Sequence, residues 1–212
     1  MSRIVVFGAG EQGAIVADIL QRCGSPPVAF VDDAVARHGT NVLGVPVIGA
    51  NCADIDHDAV IVAIGDNRLR RIVTERLVAG GERLATAIHP FTSIAPSASV
   101  GEGTMISAGA IVLPRATIGR GVLLNTKASI DHDTFVGDFA HISLGTTVGA
   151  KVRIGEESLI ATGASVVSGR SIGARTVIAA GAVVVRDIPN DVIAMGVPAR
   201  ITSDRRSAAP TG

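Results

Sequence analysis

A six-residue repeat of aliphatic side chains constrains the fold of this chain more than any other feature. It continues from Ile94 to Val184 without an insertion, and a second set, small or Val except at Arg170, lies four positions after the first. A fixed period of six is the signature of a parallel β-helix, whose interior the aliphatic residues fill. We therefore predict this fold over the aliphatic set: Ile94, Val100, Ile106, Val112, Ile118, Leu124, Ile130, Val136, Ile142, Val148, Ile154, Ile160, Val166, Ile172, Ile178 and Val184.

Glycine directly follows the aliphatic residue at several of these steps. Because Gly adopts positive φ without steric cost, we expect these glycines to form corners of the β-helix. They are residues 101, 119, 137, 149, 155 and 173.

An α/β pattern precedes the repeat. Apolar strands alternate with stretches of helical spacing, which predicts a small Rossmann-like unit with a parallel sheet. We place the boundary where the period changes to six, giving a Rossmann-like domain at 1–88, a β-helix domain at 89–202 and a disordered tail at 203–212. The predicted strands are 3–7, 28–31, 60–64 and 83–88, with a further short strand at 45–48.

The spacing G-x-G-x-x-G follows the first strand and opens a helix. Its glycines are Gly8, Gly10 and Gly13, and Asp32 lies 19 positions later. This context matches the dinucleotide fingerprint, and Gly65 lies at a second strand-to-helix turn. Two turns that offer backbone N–H groups suit a diphosphate, so we predict a nucleotide-linked ligand. A tight turn without a ligand remains the alternative, and the few strands disfavour an NAD-dependent oxidoreductase.

Two of the five histidines lie in the repeat. His132 and His141 both fall outside the interior register, and Asp133 directly follows His132. Imidazole is a usable base near neutral pH, and a neighbouring carboxylate can hold the productive tautomer. Nine residues are half a coil, so the two histidines converge only if a neighbouring chain completes the site; two ordinary surface histidines are the alternative. His38 and His57 are expected to face solvent.

Composition excludes several classes of function. Lys+Arg and Asp+Glu are both 19, and aromatic residues are 2% of the chain, which disfavours nucleic acid and anionic membranes as partners. No apolar stretch reaches the length of a membrane span, and two unmatched cysteines favour the cytoplasm. The histidines are poorly spaced for a metal and no Cys joins them, so we expect no metal.

Motifs spread along both domains resemble the PglD/NeuD type of bacterial nucleotide-sugar and sialic-acid acetyltransferases. The resemblance covers residues 3 to about 201 and implies a left-handed β-helix, a homotrimer, acetyl-coenzyme A bound between adjacent β-helices, and a nucleotide-linked amino sugar held by the N-terminal domain. The matching stretches are VVFGAGEQG, FVDD, VLGVPVIG, VAIGDNRLR, AIHPFTSIAPSASVG, LLNTKASIDHD, VGDFAHIS and AMGVPAR.

The resemblance also implies roles for individual residues. His132 corresponds to the general base, Asp133 to the acid that polarises it, and His141 to a histidine near the acetyl group. Gln12 stands where the family commonly has His. Residues implied for coenzyme binding are His141, Ala150, Thr162 and Ala180; those implied for the nucleotide sugar are Gly10, Glu11, Gln12, Asp32, Asp33 and Gly65.

The function expected from the residues and the resemblance together is acetyl-CoA-dependent N-acetylation. The sugar amine attacks the thioester directly while His132 removes its proton. O-acetylation of a sugar hydroxyl is the alternative within acyl transfer, and a non-catalytic nucleotide-sugar scaffold is the alternative from another class.

Overall fold

The chain forms two compact units in a computed structural model that describes residues 2–204. The first unit extends to Pro90 and includes Glu102–Met105; the second contains Phe91–Gly101 and the chain from Ile106 onward. The boundary expected from the sequence, between residues 88 and 89, lies close to the end of the first unit's main segment.

The first unit is the Rossmann-like α/β fold that the sequence predicts. Within the described residues its sheet has the order β3-β4-β2-β1-β5, parallel except for the antiparallel pair β3–β4. The continuous strand predicted at 83–88 is not formed. Within that range the chain has an isolated parallel bridge from Leu84 to Val60 and the two-residue strand β6. The elements are β1 (Ile4–Phe7), α1 (Glu11–Arg22), β2 (Ala29–Val31), a 3-10 turn (Val35–Arg37), β3 (Asn41–Val42), β4 (Val45–Gly49), β5 (Ala59–Val62), α2 (Asn67–Ala79) and β6 (Ala87–Ile88).

The core of this unit follows from the apolar pattern. The strands β1, β2 and β5 are continuous apolar runs because both faces of a parallel sheet are covered. Helix α1 buries Val16, Ala17, Ile19 and Leu20, at helical spacing on one face.

The second unit is a parallel β-helix built from two-residue strands. Each aliphatic position pairs with those eighteen residues away, so that Val112 lies between Ile94 and Ile130. The aliphatic side chains are buried from Ile106 to Val184 and half-buried in the first coil. The strands are β7 (Ser93–Ile94), β8 (Ser99–Val100), β9 (Met105–Ile106), β10 (Ile111–Val112), β11 (Thr117–Ile118), β12 (Leu123–Leu124), β13 (Ser129–Ile130), β14 (Phe135–Val136), β15 (His141–Ile142), β16 (Thr147–Val148), β17 (Arg153–Ile154), β18 (Leu159–Ile160), β19 (Ser165–Val166), β20 (Ser171–Ile172), β21 (Val177–Ile178) and β22 (Val183–Val184).

Three faces result, and an antiparallel pair follows the last coil. Two faces have the orders β22-β19-β16-β13-β10-β7 and β20-β17-β14-β11-β8, and the third contains β21-β18-β15-β12. The strands β23 (Val192–Met195) and β24 (Arg200–Asp204) extend this third face. The disordered tail predicted from residue 203 is therefore wrong for Ser203 and Asp204, which pair with β23; residues 205–212 lie outside the described residues.

The corner glycines have a different role from the one expected. Positive φ occurs three residues after the aliphatic position, as at Arg115 (φ 62°), Asp133 (φ 59°) and Gly163 (φ 68°). The glycines that directly follow the aliphatic residue do not have positive φ; instead they are packed against the next coil. A Cβ at Gly155, for example, lies 2.3 Å from the backbone nitrogen of Ala174. These positions require Gly because successive coils approach too closely for a side chain.

Buried hydroxyls occupy several of the small-residue positions. Thr134 donates to the Gly149 carbonyl at 2.8 Å, and Ser158 donates to the Gly173 carbonyl at 2.6 Å. Thr176 makes the equivalent bond to Pro189 at 2.7 Å. Each buried hydroxyl thus satisfies a corner carbonyl inside the β-helix.

We predict that Gly155→Ala destabilises the protein by about 1–3 kcal/mol, because its Cβ overlaps a backbone that the coil pairing holds in place. Gly163→Asn is the matched control: its corner is left-handed, nothing lies within 4 Å of the added Cβ, and Asn tolerates that conformation. Urea unfolding followed by circular dichroism measures both, since the chain has no Trp or Tyr. Equal stability of the two variants contradicts the packing explanation.

Candidate functional site

A cavity of about 690 Å³ opens at the carboxyl ends of β1, β2 and β5 in the first unit. This is where parallel α/β sheets bind ligands, and the volume is that of a small-molecule site. All the residues predicted for nucleotide-sugar binding line it: Gly10, Glu11, Gln12, Asp32, Asp33 and Gly65.

The glycine-rich turn forms one wall of this cavity. Gly8 has φ +104°, and a Cβ there lies 2.8 Å from the Ala63 carbonyl oxygen. A Cβ on Gly13 lies 2.1 Å from the Gly8 carbonyl oxygen, so α1 packs directly on the turn. Gly10 is the N-cap of α1 and makes no side-chain cap, which leaves the helix N-terminus facing the cavity.

Asp32 organises this turn through its carboxylate. One oxygen accepts from the Ala9 backbone N–H at 2.7 Å, and the other accepts from the Ala34 backbone N–H at 2.8 Å. Its side chain is only 15% exposed. These contacts tie the loop after β1 to the loop after β2. Both oxygens of the Asp32 carboxylate are therefore bonded to the protein's own backbone. Asp33 is more accessible, with a 59% exposed side chain 3.5 Å from Arg76.

Arg37 is a cavity residue that the sequence patterns did not identify. Its Nη1 donates to the Ala9 carbonyl at 2.8 Å, and its Nε lies 3.7 Å from Asp32 Oδ2. These contacts hold a guanidinium beside the N-terminus of α1. The 3-10 turn after β2 carries it there, and no motif spacing marks that turn in the sequence.

A second set of predicted residues lies at a corner of the β-helix, after β13. His132 Nδ1 is 2.7 Å from Asp133 Oδ2, and the imidazole is 44% exposed. In the neutral imidazole this contact with a carboxylate places the proton on Nδ1 and leaves the lone pair on Nε2. Asp131 contributes a further carboxylate, whose Oδ1 accepts from the His132 backbone N–H at 2.6 Å. The corner therefore presents an oriented imidazole base to solvent.

Arg115 is a further residue of this corner, and the sequence patterns did not identify it. It lies eighteen residues before Asp133, hence at the equivalent position of the preceding coil, and contacts both carboxylate oxygens at 2.6 and 2.8 Å. The Arg115 guanidinium, and after it the His132 imidazole, hold the pKa of the Asp133 carboxyl well below its usual range. Asp133 is thus ionised wherever the protein is folded near neutral pH. The eighteen-residue offset was the signal in the sequence that could have identified Arg115.

The remaining predicted residues fall into two groups on one chain. Ala150 is at the same corner as His132, in the next coil. Its backbone N–H donates to Ser168 Oγ at 3.1 Å, and its carbonyl accepts from the Gly169 N–H at 2.8 Å. Thr162 and Ala180 follow β18 and β21, so they stack at a different corner and are exposed. His141 belongs to β15, on the face that leads to this second corner. A single chain therefore does not bring His132 together with Thr162 and Ala180 at one corner.

The expectation that His57 faces solvent is wrong. Its side chain is 9% exposed, with Nδ1 at 2.7 Å from the Ile55 carbonyl and Nε2 at 2.8 Å from Glu82. Burial opposes the charged imidazole, but these two hydrogen bonds and the charge of Glu82 outweigh it and raise the pKa of His57. His38 is half-buried, and its Nε2 lies 2.8 Å from the Asp32 carbonyl oxygen.

Other reactive groups do not add a third site. Both cysteines are free, and burial raises the pKa of the Cys52 thiol to about 11, which makes it a poor nucleophile. Residues 2–204 contain no group of three or more His, Cys, Asp or Glu that could hold a metal ion. None of the helices in this range has the length and apolar character needed to cross a bilayer.

Comparison with known proteins identifies the family. The family model described as the PglD N-terminal domain matches residues 3–77. PerB from Caulobacter crescentus, solved in complex with CoA and GDP-perosamine, is 36% identical, with a TM-score of 0.90 over 96% of this chain and 98% of that one. The chain belongs to the PglD-like family of nucleotide-sugar N-acetyltransferases. The resemblance found in the sequence is thereby confirmed.

Two further relatives extend the comparison. The acetyltransferase domain of PglB from Neisseria gonorrhoeae, in complex with acetyl coenzyme A, is 36% identical, with a TM-score of 0.89 over 95% of this chain and 99% of that one. A GDP-perosamine N-acetyltransferase of Escherichia coli O157:H7 is 34% identical over 116 residues, 50% of this chain. The match spans about half the length of that curated relative, 49%. The Caulobacter crescentus enzyme has also been solved with one histidine replaced by Asn or Ala.

We predict that Asp32→Asn in this PglD-like protein destabilises the first unit by about 1–3 kcal/mol, because an amide cannot accept from both the Ala9 and Ala34 N–H groups. Asp33→Asn, the matched control, changes an exposed surface ion pair worth about 0–1 kcal/mol. Hydrogen exchange of the backbone amides of Ala9 and Ala34 measures local opening in each variant. Unchanged protection in Asp32→Asn contradicts the organising role of that carboxylate.

Proposed function

We propose that this protein transfers the acetyl group of acetyl-CoA to the amino group of a nucleotide-linked sugar. The observation that carries the proposal is the His132–Asp133 pair, whose Nδ1–Oδ2 distance is 2.7 Å, on a chain of this family. A pair of this kind orients imidazole for general base catalysis. A base with Nε2 exposed is what an incoming amine requires.

His132 acts as the base when the amine attacks the carbonyl carbon of the thioester. The N–C bond forms, and Nε2 takes the proton that the amine nitrogen loses. The tetrahedral intermediate then collapses, the C–S bond breaks, and the imidazolium returns its proton to the leaving sulfur. Asp133 supports the imidazolium throughout because Arg115 and His132 keep it ionised. The products are the N-acetylated sugar and free coenzyme A.

The coenzyme is proposed to bind along the corner that carries Thr162 and Ala180. These exposed small residues stack in successive coils, and nothing lies within 4 Å of a Cβ built on the adjoining Gly163 or Gly181. An open edge of this kind accommodates an extended pantetheine chain. His141 is assigned to the acetyl end of the coenzyme through the family resemblance.

A homotrimer is part of the proposal. The base lies at one corner of the β-helix and the exposed coenzyme residues at another, so a complete site forms when the corner of one copy meets the corner of a neighbour. We also assign the protein to the cytoplasm, where the co-substrate acetyl-CoA is available and free thiols such as Cys23 and Cys52 persist.

The nucleotide sugar is proposed to bind in the cavity of the first unit. The backbone N–H groups at the N-terminus of α1 suit a diphosphate, whereas those of Gly8 and Ala9 in the turn donate to Val31 and Asp32. Arg37 adds a guanidinium there, and its contacts with the Ala9 carbonyl and the Asp32 carboxylate engage only part of a donor fork that has five N–H groups. Glu11, Gln12 and Asp33 also line the cavity, where Gln12 donates from Nε2 to Met105 Sδ at 2.8 Å and Asp33 lies 3.5 Å from Arg76.

We predict that His132→Gln lowers kcat by about 10²–10⁴, the usual contribution of a general base, with little change in either KM. His141→Gln is the comparison, and we expect it to act mainly on the KM for acetyl-CoA. Steady-state release of coenzyme A, measured with a thiol reagent, separates the two effects. Turnover of His132→Gln within a few-fold of the parent contradicts the assignment of the base.

We predict that Arg37→Gln raises the KM for the nucleotide sugar by about 10- to 100-fold, the loss of one or two charge-assisted hydrogen bonds to phosphate. The KM for acetyl-CoA should stay unchanged. Arg22→Gln is the matched control, since Arg22 pairs with Asp18 on the surface of α1. A KM for the nucleotide sugar that is unchanged in Arg37→Gln contradicts the proposal that this guanidinium binds the substrate.

A panel of substrates tests the reaction itself. GDP-, UDP- and dTDP-linked 4-amino sugars are offered with acetyl-CoA, beside the matching 4-hydroxy sugars and free sialic acid, and the products are weighed by mass spectrometry. A gain of one acetyl group on an amino sugar supports the proposal. Transfer only to hydroxyl sugars establishes O-acetylation instead, and binding without transfer indicates a scaffold.

A further inference from the structure

Arg115 engages the catalytic pair through a planar two-point contact. Its Nε donates to Asp133 Oδ1 at 2.6 Å and its Nη2 to Oδ2 at 2.8 Å, while the same Oδ2 accepts from His132 Nδ1 at 2.7 Å. A fork of this kind fixes the plane of a carboxylate, which a single contact does not.

The corner backbone accounts for this alignment. Arg115 and Asp133 both have left-handed backbone, with φ of 62° and 59°, and the Asp133 N–H donates to the Pro114 carbonyl at 3.1 Å. Side chains at equivalent corners of successive coils therefore leave the backbone from stacked positions. The left-handed conformation is uncommon for residues other than Gly, and it recurs at the next corner of this stack, at Lys151 (φ 57°).

We propose that Arg115 is a positioning residue for acetyl transfer: it holds the Asp133 carboxylate so that Oδ2 keeps the proton on His132 Nδ1 and leaves Nε2 as the base. The inference rests on the proposed function, in which His132 accepts the proton of the amine. It adds a residue that touches neither substrate and acts through Asp133.

Arg115 also sets the charge around the imidazole. The carboxylates that face His132 are those of Asp133 and of Asp131, whose Oδ1 is 4.0 Å from Nε2. Lys151 occupies the equivalent corner position of the next coil, where its backbone N–H donates to the His132 carbonyl at 3.0 Å. Removing the Arg115 guanidinium leaves the negative charge of Asp133 uncompensated beside the ring. A carboxylate without its guanidinium favours the charged ring over the neutral base, relative to the parent protein.

The test compares Arg115→Gln, Arg115→Lys and a matched control. We expect Arg115→Gln to lower kcat about 10- to 100-fold, part of what the base contributes, and to move the acidic limb of the kcat/KM profile to higher pH. Arg115→Lys retains the positive charge but not the two-point contact with Asp133. We therefore expect kcat to fall while the acidic limb of the kcat/KM profile stays at the pH of the parent protein. KM for both substrates changes little in each variant.

Arg175→Gln is the control for a merely structural effect. Arg175 also has a left-handed backbone (φ 53°), and it makes the same two-point contact with Asp191, at 2.7 and 3.0 Å, away from any histidine pair. We expect its pH profile to match the parent protein. An equal shift in Arg175→Gln, or a parent-like kcat and acidic limb in Arg115→Gln, overturns the positioning role.

A spectroscopic readout keeps this test independent of activity. In protein labelled with ¹⁵N-histidine, long-range ¹H–¹⁵N spectra report the tautomer and titration of each ring, and His132→Gln assigns the signal. Arg115→Gln should move the His132 transition to higher pH relative to the parent and weaken the preference for the Nδ1–H tautomer. No change in either overturns the inference while leaving the proposed function intact, whereas full activity of His132→Gln overturns the assignment of the base and, with it, the role of Arg115 in acetyl transfer.

Discussion

Parallel pairing between residues eighteen apart underlies everything the β-helix presents at its surface. The pairing sets the register, and the register places a left-handed residue at each corner from Gly103 to Gly181, which costs about 1–2 kcal/mol wherever it is not Gly. Ladder hydrogen bonds offset that cost, including those from the Asp133 N–H to Pro114 and from the Lys151 N–H to His132. The same corner therefore recurs in each coil with little variation. Arg115 and Asp133 meet because they occupy one such corner in neighbouring coils.

Both candidate sites use a carboxylate to organise the protein and leave the chemistry to a neighbouring group. Asp32 ties together the loops after β1 and β2, which leaves Arg37 and the N-terminus of α1 at the cavity. Asp133 is held by Arg115 and in turn holds His132, whose Nε2 remains available. In each case the carboxylate is matched by donors on the protein, which avoids an uncompensated charge. Rigid positioning of this kind is what general base catalysis and phosphate recognition require.

Much of this architecture could be predicted from the sequence, because it follows from short periods. The six-residue period predicted the β-helix, the strand–glycine–helix pattern predicted the Rossmann-like unit, and adjacency predicted the contact between His132 and Asp133. What was missed depends on contacts between distant segments. The packing of Gly155 against Ala174 and the fork between Arg115 and Asp133 exist only once coils stack. The burial of His57 depends on Glu82, twenty-five residues away, and no local pattern marks that pairing.

The central claim is that His132 faces the nucleophile through Nε2 while Asp133 holds the other ring nitrogen, Nδ1. A crystal structure with coenzyme A and a nucleotide-linked amino sugar tests it most directly. The account predicts the sugar nitrogen within about 3 Å of His132 Nε2, with Nδ1 still bonded to Asp133 and Asp133 still held by Arg115. A sugar nitrogen bound elsewhere, or an imidazole turned away from it, contradicts the account.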